Sequence, residues 1–136
     1  MPRFHRRLSL LLAAALTAAS ALPTFAATPT RKDFGQISQL VVNSFNMIHE
    51  KDMAGARAEC EKARTISDKF SDPFIQATVE VCFGDVDDYE NKPQSACKHF
   101  DAAIKLFKAT PEKHPARRAL NNQLKTLQGK RFQLAC

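Results

Sequence analysis

Apolar residues recur at spacings of three and four in five separate stretches of this chain, and the breaks between them run to only two to six residues. That rhythm is helical, and connections this short make consecutive helices antiparallel neighbours. The clearest stretch is Ser95–Thr110, where Ala96, Phe100, Ala103, Ile104 and Phe107 share one face and Lys98, Asp101, Lys105 and Lys108 the other. Asp33–Glu50 carries Phe34, Ile37, Leu40, Val41, Phe45 and Ile48 in the same rhythm. Met53–Phe70, which Asp52 can cap, aligns Ala56, Cys60, Ala63, Ile66 or Ser67, and Phe70. Ala116–Phe132 aligns Ala116, Leu120, Leu124 or Gln123, Leu127 and Arg131.

The third stretch differs from the rest. Ser71-Asp72-Pro73 is a helix start, a capping side chain followed by proline in the first turn. The helix to Asp88 then carries two apolar stripes: Phe74, Ala77 and Val81, and separately Ile75, Val79, Cys82, Phe83 and Val86. A helix apolar on most sides sits between neighbours. The β-forming Val and Ile of Ile75–Phe83 admit a strand as the competing assignment, and the helical segments on either side favour helix. The fold class expected is all-α, with five antiparallel helices.

The chain opens with Met1-Pro-Arg-Phe-His-Arg-Arg7, continues through an uncharged Leu- and Ala-rich run from Leu8 to Ala21, and leaves it by Leu22-Pro-Thr-Phe-Ala26. A basic start, an apolar middle and a small-residue exit make a secretory signal peptide over residues 1–26. The uncharged run of 14 residues is shorter than the roughly 20 that span a bilayer, so no transmembrane anchor is expected after cleavage. Residues 27–32 read as a flexible lead-in and 33–136 as one helical domain. Removing Arg3, Arg6 and Arg7 takes the formal net charge from +6 to +3, so the basic balance belongs partly to the leader. The expected location is the periplasm or the exterior.

All four cysteines, Cys60, Cys82, Cys97 and Cys136, lie beyond that leader, and an even count in a small exported chain implies two disulfides. Cys60 stands eleven residues before Ser71 and Cys82 eleven after it, so an antiparallel hairpin sets them at one height. The last two helices fold back near Glu112, which brings Cys136 towards Cys97. The expected bridges are Cys60–Cys82 and Cys97–Cys136. Cys82–Cys97 with Cys60–Cys136 is the alternative.

A small–large–small face also occurs twice, as Ala56, Cys60, Ala63 and again 40 residues later as Ala96, Phe100, Ala103. Each is preceded twelve residues earlier by a small residue, Ser44 or Gly84. Together with Phe83 and Pro111, this pattern resembles the tetratricopeptide repeat. The resemblance covers roughly Gln36–Pro111 and implies two helical hairpins with the fifth helix as a cap. The repeat here spans 40 residues against about 34 in that family. Glu80, Asp87 and Asn43 occupy positions where the family carries large apolar residues, and there is no Trp.

Chemistry-bearing patterns are sparse. Cys97-Lys-His99 has the wrong spacing for zinc or haem attachment, and no C-x-x-C pair occurs. The acidic run Asp85–Glu90 lacks the glycine and spaced ligands of a calcium loop. No cofactor, metal or enzymatic activity is expected. Charge is more informative: Asp33–Asn91 holds 5 basic and 12 acidic residues, net −7, and Lys92–Cys136 holds 10 and 2, net +8. Pairing between helices explains that split blandly. The sharper reading is a bipolar surface that orients a protein or peptide partner or another copy of the chain, with Asp85, Asp87, Asp88 and Glu90 on one side and Arg117, Arg118 and Lys125 on the other. Nucleic acid is not expected: the exported context argues against it, and the aromatic residue among Lys105, Lys108, Lys113, Arg117, Arg118 and Lys125, Phe107, falls on the opposite, apolar face. The expected role is that of an exported helical interaction module, an adaptor, scaffold or inhibitor; the alternatives are a structural or stress-related envelope protein without a groove and, behind it, an enzyme with a dispersed site.

Overall fold

The computed structural model describes residues 26–136; the leader expected over residues 1–26 falls, apart from Ala26, outside them. Five helices follow in order: α1 (Arg31–His49), α2 (Met53–Ser67), α3 (Pro73–Tyr89), α4 (Pro93–Ala109) and α5 (Arg117–Gln133). No strand occurs among the described residues, and Ile75–Phe83 is helical.

Helix starts follow the capping chemistry. Thr30 and Asp33 form a reciprocal capping box at α1, Thr30 N–H donating to Asp33 Oδ2 at 2.7 Å. Arg31 and Lys32 therefore belong to the first helical turn, and Ala27 makes an isolated parallel bridge with Phe70, so the lead-in is shorter and more engaged than expected. Asp52 accepts from Gly55 N–H at 2.8 Å, and Asp72 from Ile75 N–H at 3.1 Å with Pro73 opening α3. α2 ends at Ser67 rather than Phe70, because Lys69 and Phe70 turn back onto Ile66 and Ser67 carbonyls. α4 begins two residues early, on Pro93.

The first, third and fifth helices end alike. Lys51, Asn91 and Ala135 all adopt positive φ, at 65°, 57° and 55°. In each case the next amide closes a six-residue ring, Asp52 N–H to Met47 O, Lys92 N–H to Asp87 O and Cys136 N–H to Arg131 O. This is the Schellman terminator, built here without glycine. The first two copies stand 40 residues apart, the offset of the small–large–small faces.

α3 lies between two cores, and its two stripes divide between them. Ile75, Val79, Cys82, Phe83 and Val86 join Ile37, Ile48, Ala56, Cys60 and Ala63 on the α1–α2 side. Ala77, with Phe74 and Val81 packed beside it, joins Ala96, Phe100, Ala103, Phe107, Leu120 and Leu127 on the α4–α5 side. The most extensive backbone approaches are within the pairs α3–α4 and α1–α2, and α5 approaches α4 more sparsely. Corresponding small residues make corresponding contacts. A Cβ added to Gly84 would lie under 3.0 Å from the Phe100 ring, and buried Ser44 sets its Oγ 3.3 Å from Cys60 Sγ. The two bridges are Cys60–Cys82 and Cys97–Cys136, each with Cα atoms 5.7 Å apart.

Candidate functional site

With consecutive helices antiparallel, α1, α3 and α5 run the same way. Long-range contacts fix this: His114, just before α5, reaches Asp72 at the start of α3, and Lys130, late in α5, pairs with Asp85, late in α3. α1 and α5 flank α3 without closing over it. They leave a trough of about 290 Å³, walled by Val41, Val42 and Phe45 from α1 and by Leu127 from α5, with Val81 and Asp85 of α3 at its base. Val42 and Phe45 are 52% and 46% exposed and stand together on the same wall of the trough, so they form a patch and not scattered single exposures. Edge-to-face rings continue the surface from Phe45 through His49 to half-exposed Tyr89.

One ion pair sits in this apolar setting. Lys130 Nζ donates to Asp85 Oδ1, and the ammonium also stands 5.4 Å from the Phe100 ring centre. Burial pushes the Asp85 carboxyl up from its ordinary value, and the charge and hydrogen bond of Lys130 only partly oppose this. A carboxylate carried at a cost inside an apolar trough is a feature that packing alone does not require.

The acidic helix end is largely spent within the molecule. Asp87, with 4% of its side chain exposed, receives Arg57 at 2.5 Å and the Ser95 hydroxyl; Glu90 receives Arg57 at 2.7 Å and Lys92 at 2.6 Å. Among the described residues, Asp88, Arg118 and Lys125 have no ion-pair partner, and Arg117 donates to the Thr110 carbonyl at 3.3 Å. Arg117 and Arg118 open α5, about 20 Å along the helix from Lys130 at 1.5 Å per residue. They therefore stand at the Asp72 end of α3 and not beside Asp85–Glu90. The seven candidate residues do not form one patch, and intramolecular pairing accounts for much of the acidic cluster.

A second network fills the seam of α2, α3 and α4. Glu80 takes His99 Nδ1 at 2.6 Å and Arg64 at 3.6 Å, while the Phe83 ring is stacked by His99 and covered by the Arg64 guanidinium 3.9 Å from its centre. Glu80 and Asp87 both face cations of the adjoining α2, Arg64 and Arg57. Burial opposes ionisation of Asp87, but hydrogen bonds from Arg57 and Ser95 and the Arg57 charge outweigh it and hold the carboxyl below its ordinary value. The ionised form therefore contributes stability above the ordinary carboxylate range, and that contribution is lost as pH falls through the lowered folded value. Thermal midpoints are expected to hold from neutral pH into the mildly acidic range and then to drop. Asp87→Asn should lower the neutral midpoint and flatten the acid drop; equal midpoints for variant and parent at neutral pH would show the network to be idle.

His114 is enclosed differently. It stacks on Phe74, meets the edge of Phe34, accepts the Ala116 N–H on Nδ1 at 3.1 Å and donates from Nε2 to Asp72 at 3.0 Å. Both ring nitrogens have fixed partners, so it locks the α4–α5 loop onto the α3 cap. Among the described residues no cluster of three or more His, Cys, Asp or Glu side chains could hold a metal ion, and no helix is long and apolar enough to cross a membrane.

The trough was not singled out by spacing. The signal for it was the extra apolar residue on α1: Val42 lies beside the core-facing Val41, more than one buried stripe needs. No family model, curated protein or solved structure matches this chain.

Proposed function

We propose that this is a small exported interaction module, a helical protein whose tetratricopeptide-like hairpins present the α1–α3–α5 face to a protein partner. The observation that carries the reading is the uncovered apolar trough, with Val42, Phe45 and Tyr89 half-exposed on one continuous face. Contiguous exposed apolar surface with a polar group at its base is what docking faces present. The twice-used Ser44–Cys60 and Gly84–Phe100 contacts and the repeated Schellman ends support the hairpin-repeat reading. Export is supported by the basic-apolar leader and by two disulfides, which persist in oxidising compartments. Binding rather than catalysis is favoured because the His99 and His114 rings are held by partners of the fold instead of being offered to a substrate.

Adaptor, scaffold and inhibitor are versions of the same binding role. The test is recovery of partners from an envelope fraction by the parent and by Phe45→Glu. The parent is expected to retain a defined protein that the variant loses, with circular dichroism unchanged because Phe45 is a surface residue. Identical recovery by the two proteins would remove the trough from the reading.

A further inference from the structure

We infer that a second copy of this chain is an occupant of the trough: the protein associates head to tail, with Phe132 of one copy seated between α1 and α5 of the next. This rests on the reading of the trough as a docking face and names what docks there. Phe132 is 88% exposed, the most exposed large apolar side chain among the described residues, and projects beside Gln128, Arg131 and Cys136. It stands two residues from Lys130, which faces the trough. Two positions on a helix diverge by about 200°, so Phe132 points away from the trough of its own chain. A knob and a hole on different sides of one molecule make a heterologous contact, which builds rings or open chains rather than a two-fold dimer.

Size and charge agree with this pairing. The trough, at about 290 Å³, accepts one aromatic side chain; larger ligands call for deeper sites. Buried aromatic anchors of this kind carry much of the energy of protein interfaces. Phe132 belongs to the Lys92–Cys136 segment, net +8, whereas α3 at the base of the trough carries Glu80, Asp85, Asp87 and Asp88 and no Lys or Arg. Internal pairs consume part of that difference, yet Asp88 near the trough and Lys125 on α5 remain without ion-pair partners among the described residues. Head-to-tail docking brings the acidic segment of one copy against the basic segment of the next, which favours encounter in the productive orientation.

Sedimentation of the purified protein over a concentration series tests this. The apparent mass is expected to rise above that of one chain with concentration and to fall back at high salt. Phe132→Ser and Phe45→Glu should each sediment as one chain, with thermal midpoints like the parent because both positions are exposed. Mixing the two variants should restore a two-chain species, the Phe45→Glu chain supplying the ring and the Phe132→Ser chain the intact trough. A parent that stays a single chain throughout overturns the inference, as does undiminished association of Phe132→Ser or a mixture that forms no complex. A single-chain parent that still loses a foreign envelope partner on Phe45→Glu overturns this inference alone; unchanged envelope recovery as well would also overturn the docking reading.

Discussion

Truncating Phe100 to alanine is expected to lower the free energy of unfolding by about 3–5 kcal/mol, a large part of the roughly 5–15 kcal/mol that a domain of this kind commands. Phe100 has no exposed surface and fills the centre of the α3–α4–α5 core, where its ring edge lies against the bare Cα of Gly84. The cavity left by alanine could close only if α3 and α4 moved, and the rest of their interface opposes that movement. The reciprocal change is informative. A Cβ on Gly84 would stand under 3.0 Å from the Phe100 ring, so Gly84→Val should cost at least the roughly 1–3 kcal/mol of an overpacked core. Gly84→Ala combined with Phe100→Leu should be less harmful than the sum of the single changes, since the smaller side chain makes room for the added methyl. Urea titration measures all three. A Phe100→Ala loss below about 1 kcal/mol would place this contact among ordinary surface effects.

Removing the Cys60–Cys82 bridge by Cys→Ala at both positions is expected to cost about 3 kcal/mol by loop-closure entropy for its separation of 22 residues. The corresponding figure for Cys97–Cys136, separation 39, is about 4 kcal/mol. The two bridges should nevertheless differ in kind. Cys60 and Cys82 are 0% and 2% exposed inside the α1–α2–α3 core, whereas Cys136 is exposed at the end of α5. Thiol reductant attacks an accessible sulfur first. Mild reduction of the native protein is therefore expected to open Cys97–Cys136 alone, with amides of α5 losing exchange protection while α1–α4 retain theirs. α5 is the helix to loosen because its backbone approaches the rest sparsely: it is held by Leu120 and Leu127, by the partly buried Leu124 and Leu134, and by the pairs Lys130–Asp85 and Arg131–Asp101. Mass spectrometry of trapped thiols, read with hydrogen exchange, decides the order. Simultaneous loss of both bridges would mean that the two cores open together.

Much of this architecture was legible in residue order. The period of three and four located all five helices to within a few residues, because a helix that buries one face must repeat its apolar side chains at that interval. Capping chemistry did the rest at α2 and α3, where Asp52 and Asp72 accept the amides expected of them. Cys60–Cys82 followed from equal distances on either side of Ser71, and Cys97–Cys136 from the fold-back near Glu112 that returns the last residues towards Cys97. The double stripe of α3 forecast its place between two cores. The ends that differ are the starts of α1 and α4 and the finish of α2, where a capping box, a proline and a turn with no period of their own set the boundary.

The surface was far less legible. Charge counts marked Asp85–Glu90 and Arg117, Arg118 and Lys125 as opposing groups. Folding instead pairs Asp87 and Glu90 with Arg57, sends Asp85 into the trough to meet Lys130, and carries Arg117 and Arg118 to the opposite end of α3. An ion pair depends on the separation of two atoms, and that separation is set by how helices distant in sequence come to rest. The same holds for Val42 and Phe45: their apolar character is plain in the chain, but whether such a side chain is covered depends on the gap between α1 and α5, which have no short connection to each other. Local order thus specified the helices, their direction and their covalent staples, because these rest on period, caps and short loops. The trough, the internal settling of the acidic cluster and the outward Phe132 come from long-range packing alone.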